Sequence, residues 1–174
     1  MTRPSIDAYF SDMARLVSTR GTCHRRKVGC VLVDKNNFVL ATGYNGRPKG
    51  FNHCQGEHLC SGALSPSGTN LDGCEAIHAE QNALLQCRDT QAIAGAYVTA
   101  FPCITCVKLL LNTTCDRIVY LEDYPHNRAK EMWQEAGRTA LKFEEMVVVT
   151  VDFNGQVFKT EVPKNSSIFN HPKK

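Results

Sequence analysis

The chain has 174 residues, 43% of them hydrophobic and 21% charged, and carries a formal net charge of +3. This composition is typical of one globular domain with a sizeable core, and the small positive charge does not indicate a nucleic-acid-binding protein. Its apolar runs are too short to span a bilayer, and the N-terminus lacks the apolar stretch of a secretory signal. We therefore expect a cytoplasmic protein with neither a membrane nor a nucleic-acid partner.

Nine cysteines are a large and odd number for a chain of this length. An odd count argues against a framework in which every cysteine is paired in a disulfide. In the reducing cytosol, such cysteines more often bind metal or remain as buried thiols. We therefore looked for metal-ligand spacing among them. The modest net charge, in turn, suits a small anionic ligand.

The N-terminal part of the chain predicts a helix followed by a hairpin. Residues 6–17 carry an apolar side chain at every third or fourth position, which is typical of an amphipathic helix, and Ser5 can cap its start. Residues 28–33 and 38–44 have the composition of strands, and DKNN between them predicts a turn. Residues 45–74 are rich in Gly, Ser, Asn and Pro and lack periodicity. A loop of this length in a compact domain is usually functional.

Helices and strands alternate in the rest of the chain. The predicted elements are a helix over 76–88, a strand over 96–100, a helix over 103–112, a strand over 117–121, a helix over 126–137, and two C-terminal strands joined at Asn154 and Gly155. This alternation predicts an α/β architecture in which helices pack on the faces of a sheet. We expect one domain over 1–174, with a cysteine-rich insertion at 45–74 and a C-terminal hairpin and tail at 145–174.

Cys103 and Cys106 are the first residues that indicate a metal site. Pro102 precedes them, and proline is favoured in the first turn of a helix. Residues three apart lie on one helix face, and the electropositive helix N-terminus favours thiolates, so both sulfurs could bind one zinc ion. A single C-x-x-C is ambiguous, because redox dithiols and structural zinc sites have the same spacing.

His78 and Glu80 lie among apolar residues near the start of the preceding predicted helix. A regular helix points residues two apart in different directions, so Glu80 would flank a metal held by His78 instead of binding it. Alone, such a histidine is more often a satisfied core side chain. Together, H-x-E followed by P-C-x-x-C is the signature of zinc nucleobase deaminases. His78, Cys103 and Cys106 would supply three ligands and leave the fourth position for water.

This combination of residues predicts a hydrolytic reaction. Zinc lowers the pKa of its bound water from about 15.7 to about 7, which provides hydroxide at neutral pH. The hydroxide would attack C4 of a cytosine ring. Glu80 would accept the water proton, deliver it to ring N3 and help to protonate the departing ammonia, which requires a position beside the metal.

Several segments together resemble the deoxycytidylate (dCMP) deaminase family, a branch of the cytidine deaminase superfamily. They are VGCVLV, GYNGRPKG, CEAIHAEQNALLQC, YVTAFPCITCVKLLL and RIVYLEDY. The resemblance spans about residues 6–137, and the GYNG motif ahead of a cysteine-containing loop is what indicates the dCMP branch. It implies a three-layer α/β fold with a central mixed sheet of about five strands flanked by helices.

The same resemblance implies a function and an assembly. It implies a homohexamer that hydrolyses dCMP to dUMP and ammonia and so supplies dUMP for dTMP synthesis. It further implies activation by dCTP with Mg²⁺ and inhibition by dTTP. His78, Cys103 and Cys106 match the zinc ligands of the family, Glu80 matches the proton shuttle, and Asn45 matches the residue that hydrogen-bonds the deoxyribose.

The rest of the GYNG loop corresponds to the effector site of the family. A turn rich in glycine, here starting with Gly46, lets backbone N–H groups approach a ligand closely. Arg47 and Lys49 could then contact effector phosphates. The alternative interpretation is a solvated turn that only closes a strand.

Two pairs of residues are candidates for binding the substrate phosphate. Arg26 and Lys27 lie just before the first predicted strand, and Tyr124 and His126 follow the strand that contains RIVYL. Arg26 and Tyr124 are our leading candidates for substrate binding. For each of them the alternative is an ordinary surface residue.

The cysteine-rich loop raises the question of a second, structural zinc ion. Some members of the family bind such an ion with one cysteine that follows the first helix and with further cysteines in this insertion. Four cysteines could supply such a closed site: Cys23, Cys54, Cys60 and Cys74. His53 or His58 could substitute for one of them. The spacing departs from the bacterial pattern, and the alternative is buried or free thiols.

Two other functions remain open from the residues. Another deaminase of the superfamily could act on cytidine, or on cytosine or adenosine in nucleic acid, although a polynucleotide enzyme should show a basic channel with stacking aromatics. A protein of a different class would be a non-catalytic nucleotide sensor with a structural zinc. Glu80 argues against the sensor, because a structural zinc needs no proton shuttle. Ammonia release distinguishes an enzyme from a sensor.

Overall fold

A computed structural model describes residues 3–144, 146–153 and 156–163 of the chain. They form two compact units, which divide between Lys142 and Phe143. The larger unit contains every residue for which the sequence predicts a chemical role. Within the described ranges, no helix is both long enough and apolar enough to cross a membrane.

The larger unit is a mixed sheet flanked by helices. Its strands are β1 Gly29–Val33, β2 Val39–Tyr44, β3 Gly95–Ala100, β4 Arg117–Glu122 and β5 Thr139–Lys142, and its α-helices are α1 Ile6–Ser18, α2 Ala79–Gln86, α3 Ile104–Leu111 and α4 Arg128–Glu135. The strand order is β2-β1-β3-β4-β5. β1 is antiparallel to β2 and β3, whereas β3, β4 and β5 are parallel. The predicted mixed five-stranded α/β fold is confirmed.

The fifth strand differs from the sequence prediction. β5, residues Thr139–Lys142, completes the sheet beside β4 and was not predicted, because its four residues are short and mostly exposed to solvent. The predicted C-terminal strands, β6 Met146–Phe153 and β7 Gln156–Pro163, pair only with each other among the described residues. Their turn at Asn154 and Gly155, and the tail from residue 164, lie outside the described residues.

Both faces of the sheet are covered, which gives three layers. On one face, Leu32, Val98 and Tyr120 form one core with side chains of α2, α3 and α4, including the fully buried Trp133. On the other face, Phe10 of α1 packs on Tyr97 with 5.0 Å between ring centroids. Alternation along each strand explains this, because successive side chains point to opposite faces. Ser5 caps α1 as predicted, accepting a hydrogen bond from the Ala8 N–H at 3.1 Å.

Gly43 in β2 fixes how closely α2 approaches the sheet. A side chain at Gly43 would place its Cβ 2.2 Å from the Ala79 carbonyl oxygen and 2.3 Å from the Ala83 nitrogen. The first turns of α2 therefore pack directly on the strand backbone, with Ala79 and Ala83 fully buried. Because α2 begins immediately after His78, this close approach helps to set the position of the functional site.

Arg138, just before β5, holds the end of α3. Its guanidinium donates to backbone oxygens at the C-terminus of that helix and after it: Leu110 at 3.0 Å, Leu111 at 2.8 Å, Thr113 at 3.1 Å and Cys115 at 2.5 Å. The last carbonyls of a helix have no partner within the helix. The guanidinium also lies over the Trp133 ring, 5.2 Å from its centroid. One side chain thus satisfies four acceptors and joins α3 to β5.

We expect Arg138→Ala to lower the free energy of unfolding by about 2–3 kcal/mol, because it leaves part-buried carbonyls without a charged donor. Arg128→Ala is the matched control, since Arg128 is exposed and pairs with Glu135 on the surface. The control should change stability by less than about 0.5 kcal/mol. Urea unfolding followed by circular dichroism measures both. Equal losses in the two variants would contradict the capping role of Arg138.

Candidate metal centre and nucleotide cavity

The position of His78 is set by backbone pairing on one side and by a helix start on the other. Just before it, Ile77 and Gly46 exchange two backbone hydrogen bonds, of 2.9 and 3.1 Å. After it, α2 begins, and the Gln81 side chain accepts a hydrogen bond from the His78 N–H at 2.8 Å. The GYNG loop and the first turn of α2 therefore hold the histidine from both directions.

The two cysteines occupy the matching position on α3. Cys103 is the N-cap of this helix, and Cys106 lies in its first turn. The Val107 N–H donates to the Cys103 carbonyl at 2.9 Å, so the turn that carries both sulfurs is hydrogen-bonded. Both cysteines are buried. The three side chains thus lie at the N-termini of α2 and α3, which are the positive ends of these helices.

His78, Cys103 and Cys106 converge on one point. The His78 Nδ1 atom is 3.3 Å from the Cys103 Sγ and 3.5 Å from the Cys106 Sγ. One ligand atom from each of the three residues lies within 4.8 Å of the others, and no other such group of three occurs among the described residues. One imidazole nitrogen and two sulfurs are a donor set that suits zinc with an open fourth position.

The three side chains hold protons between them, and a bound metal ion could take the place of those protons. A hydrogen bond from the Cys106 thiol, and then one from His78, holds the pKa of Cys103 at about 4. The same contact raises the pKa of Cys106, because its proton lies between the two sulfurs, and burial adds to this effect. The hydrogen bond to Cys103 raises the pKa of His78. Metal binding to such a site releases protons and takes their place.

Glu80 lies beside this cluster but outside it. Its carboxyl group is buried, with 3% of the residue exposed, and it is not one of the three mutually close ligands. Burial raises the pKa of Glu80, and this effect is opposed by its own backbone N–H and by the positive charge of His78. A carboxyl with a raised pKa exchanges protons more readily near neutral pH. Position and raised pKa are the two properties that the predicted proton shuttle requires of Glu80.

A cavity opens in front of the three candidate metal ligands and Glu80. Of the residues predicted to bind substrate, Asn45, Arg26 and Tyr124 line it, whereas the other two phosphate candidates, Lys27 and His126, do not. Other lining residues were not predicted from the sequence. Three of them belong to the long loop, Ser67, Gly68 and Leu71, and two lie elsewhere, Arg25 and Phe101. Except for Phe101, which lies in the YVTAFPCITCVKLLL segment, those residues belong to no motif, so no local signal placed them at the cavity.

Asn45 is buried and is held by the segment before β1. Its Nδ2 donates to the Arg26 carbonyl at 2.7 Å, and its Oδ1 accepts from the Val28 N–H at 2.8 Å. A primary amide has two donor hydrogens and two acceptor lone pairs, so one of each is left for a ligand. Arg26 is half-buried and forms an ion pair with the exposed Glu122. Burial raises the pKa of the Tyr124 hydroxyl, which also lines the cavity.

The predicted effector residues lie away from the cavity. Arg47 donates to the carbonyls of Asn52 and His58, both at 3.2 Å, and forms an ion pair with Glu75. These contacts hold the long loop, so the guanidinium is already engaged within the chain. Lys49 is exposed. Gly46 pairs with Ile77, as described above, and so supports the metal ligand.

The structure places the four cysteines predicted for a second zinc ion partly in the long loop and partly at the cavity. In the long loop, the sulfurs of Cys54 and Cys60 are 3.5 Å apart and both residues are buried. Cys23 and Cys74 instead line the cavity. In the described part of the chain, the four do not form a group whose sulfurs all lie within 4.8 Å of one another. A second zinc ion stays a prediction, and the structure gives it no support.

Comparison with known proteins shows which family this arrangement belongs to. Residues 4–122 match the family model of the cytidine and deoxycytidylate deaminase zinc-binding region. The deoxycytidylate deaminase of Schizosaccharomyces pombe is 42% identical over 126 residues, which are 70% of this chain and 38% of that protein. The deoxycytidylate deaminase of Mycobacterium phage D29 is 41% identical over 126 residues, which are 69% of this chain and 97% of that protein.

A solved structure gives the same result. The dCMP deaminase of the cyanophage S-TIM5, in complex with dCMP and dUMP, superimposes with a TM-score of 0.65 at 28% identity, over 82% of this chain and 100% of the phage chain. By contrast, this chain spans less than half the length of the yeast relatives, 38% for S. pombe and 46% for Saccharomyces cerevisiae. Since the family model covers well over half of the chain, the protein belongs to the cytidine and deoxycytidylate deaminase family.

Proposed function

We propose that the protein hydrolyses dCMP to dUMP and ammonia and thereby supplies dUMP for dTMP synthesis. The observation that carries this proposal is the buried Glu80 beside a cluster of one imidazole and two thiols, with Glu80, His78 and Cys103 all lining one cavity. The dCMP and dUMP complex of the cyanophage enzyme, with which this chain shares its fold, supports the choice of substrate.

The chain's own residues divide the chemistry between them. His78, Cys103 and Cys106 would hold zinc, and a bound zinc ion supplies the Lewis acidity that lowers the pKa of a water molecule. Glu80 would accept a proton from the attacking water and pass it to N3 of the cytosine ring. It then helps to protonate the ammonia that leaves from C4. Burial keeps Glu80 away from bulk water, so the proton stays within the site.

The charged residues of the cavity favour a nucleotide over a nucleoside. Arg25 and Arg26 both line the cavity, whereas Glu80 is its only acidic residue among those described. Arg26 reaches the surface, where Glu122 is its present partner, and can exchange that exposed carboxylate for a phosphate. Tyr124, which lines the same cavity, would contact the same group, and Asn45 would hydrogen-bond the deoxyribose with its remaining donor and acceptor.

Regulation and assembly follow the family pattern in this proposal. The protein would form a homohexamer in the cytoplasm, with activation by dCTP and Mg²⁺ and inhibition by dTTP at the loop that contains Gly46, Arg47 and Lys49. The pairing of Gly46 with Ile77 supports a link to the active site, because it connects this loop to the residue before His78. A shift of the loop would therefore move a zinc ligand.

The substrate assignment is tested by following loss of the cytosine absorbance with purified protein. We expect turnover of dCMP, weaker turnover of deoxycytidine, and none of a short cytosine-containing single strand, with the dCMP rate raised by dCTP plus Mg²⁺. Turnover of dCMP without a dCTP effect would leave the activity and remove the regulatory proposal. Reaction of the strand or of cytidine alone would favour another deaminase, and no ammonia from any substrate would favour a nucleotide sensor.

We expect Glu80→Gln to lower kcat by about a hundredfold to ten-thousandfold, because the amide cannot accept and return a proton. Zinc content should remain that of the wild type, since Glu80 lies outside the ligand cluster. Glu135→Gln, which changes an exposed carboxylate on α4, is the control and should keep full activity. A loss of zinc in Glu80→Gln would show that Glu80 acts as a ligand.

We expect Cys103→Ser to lose most of the zinc bound at this site together with activity, because a serine hydroxyl is a weak zinc ligand. Cys87→Ser is the matched control, since Cys87 lies at the opposite end of α2 from His78 and is not in the cluster. Plasma emission spectrometry of the gel-filtered proteins measures the metal, and circular dichroism checks that each variant is folded. Zinc retained by Cys103→Ser would contradict the proposed ligand set.

A further inference from the structure

Arg25 and Arg26 are neighbours in the sequence and both line the cavity, but they have different partners. Arg26 is paired with an exposed carboxylate at the mouth of the cavity. Arg25 instead directs both terminal nitrogens at backbone carbonyls of the long loop. One donates to Gly62, and the other donates to Thr69 at 3.1 Å. The fork of Arg25 is therefore occupied by the protein itself.

These two carbonyls belong to the loop segment that forms one wall of the cavity. We call residues 61–74 the wall segment; its cavity-lining members are Ser67, Gly68, Leu71 and Cys74. It is closed at its base by a 2.7 Å hydrogen bond from the Gly62 N–H to the Gly73 carbonyl. It contains no helix or strand, so its position depends on turns and on side-chain contacts, which include the 3.0 Å contact of the His126 ring with the Gly68 carbonyl. Arg25 joins its base, at Gly62, to its far part, at Thr69.

Two observations indicate that the contact between the Arg25 guanidinium and the wall segment has a fixed geometry. Gly62 is buried, and a Cβ there would lie 2.8 Å from the Arg25 Nη2 atom and 2.8 Å from the Gly73 carbonyl carbon. No side chain therefore fits between the guanidinium and the loop. The Arg25 Nε atom is also buried without a hydrogen-bond partner among the described residues. An unsatisfied buried donor lowers stability, so the position of Arg25 is maintained despite a cost.

We propose that Arg25 is a positioning residue that holds the wall segment against the bound nucleoside, and that it does not bind the substrate phosphate. The proposal rests on the proposed function for the identity of the ligand. Arg25 suits this role because a planar guanidinium fits two fixed carbonyls better than any other side chain. Arg26 is then the arginine that is left for the phosphate.

The test compares ligands with and without the phosphate. In Arg25→Lys, the ammonium can retain one of the two carbonyl contacts, so we expect the Kd of dUMP and the Kd of deoxyuridine to rise by the same factor, about tenfold. The KM for dCMP should rise similarly, while kcat stays within about twofold of the wild type. In Arg26→Gln, by contrast, the Kd of dUMP should rise more than that of deoxyuridine. Calorimetry and steady-state kinetics measure these values.

Two further variants separate the clamp from general damage. Gly62→Ala keeps the arginine but forces the loop away from it, and it should reproduce the Arg25→Lys pattern. Arg128→Lys alters an exposed arginine on α4 and should change none of these constants. Hydrogen exchange followed by mass spectrometry gives a second readout, which does not depend on activity. Amides of the wall segment should exchange faster in Arg25→Lys, whereas those of α2 and α3 should not.

The outcomes distinguish this inference from the proposed function. A weakening confined to dUMP would make Arg25 a phosphate ligand and overturn the inference, as would unchanged constants with unchanged exchange. A wild-type protein that releases no ammonia from dCMP would refute the proposed function instead. In that case the exchange experiment still decides whether Arg25 holds the wall segment, because unchanged exchange in Arg25→Lys would overturn it.

Discussion

The structure depends most on the 3.3–3.5 Å approach of one imidazole nitrogen to two sulfurs. These atoms come from the first turns of two helices, so the contact can exist only if both helix starts are fixed. α2 is fixed by direct packing on Gly43 and by the pairing of Ile77 with Gly46. α3 is fixed by the Pro102 position at one end and by Arg138 at the other. The order of the strands, the packing of the helices and the capping of their ends together place these three atoms close to one another.

Arginine side chains bonded to backbone carbonyls hold the irregular parts of the larger unit. Arg138 joins the end of α3 to β5, Arg47 binds the first part of the long loop, and Arg25 binds its second part. Segments without helix or strand leave backbone acceptors that need partners. A guanidinium has five donors and can satisfy several of these at once. Part of the positive charge of the chain is thus structural, which is why net charge alone indicated little about ligands.

The sequence predicted the features that are local and missed those that are tertiary. The sequence predicted a helix over 76–88 that contains His78 and a helix that starts at Cys103; the structure starts α2 only at Ala79, with His78 as its N-cap, and gathers His78, Cys103 and Cys106. Five strands of mixed direction followed from the family resemblance. β5 was missed because four exposed residues carry no periodic apolar signal. Arg25 was missed for another reason, since a single arginine in a basic run does not show which distant carbonyls it will meet.

Asn45 shows what fixed geometry means for binding. Both ends of its side-chain amide are hydrogen-bonded to the segment before β1, so its rotamer is set before any ligand arrives. A flexible polar side chain loses conformational entropy when it binds, and this loss reduces affinity. Here most of that loss has already occurred during folding. In the proposed function, the remaining donor and acceptor of Asn45 would therefore form a pre-organised template, which would select ligands by the direction of their hydroxyl groups and not only by the presence of such groups.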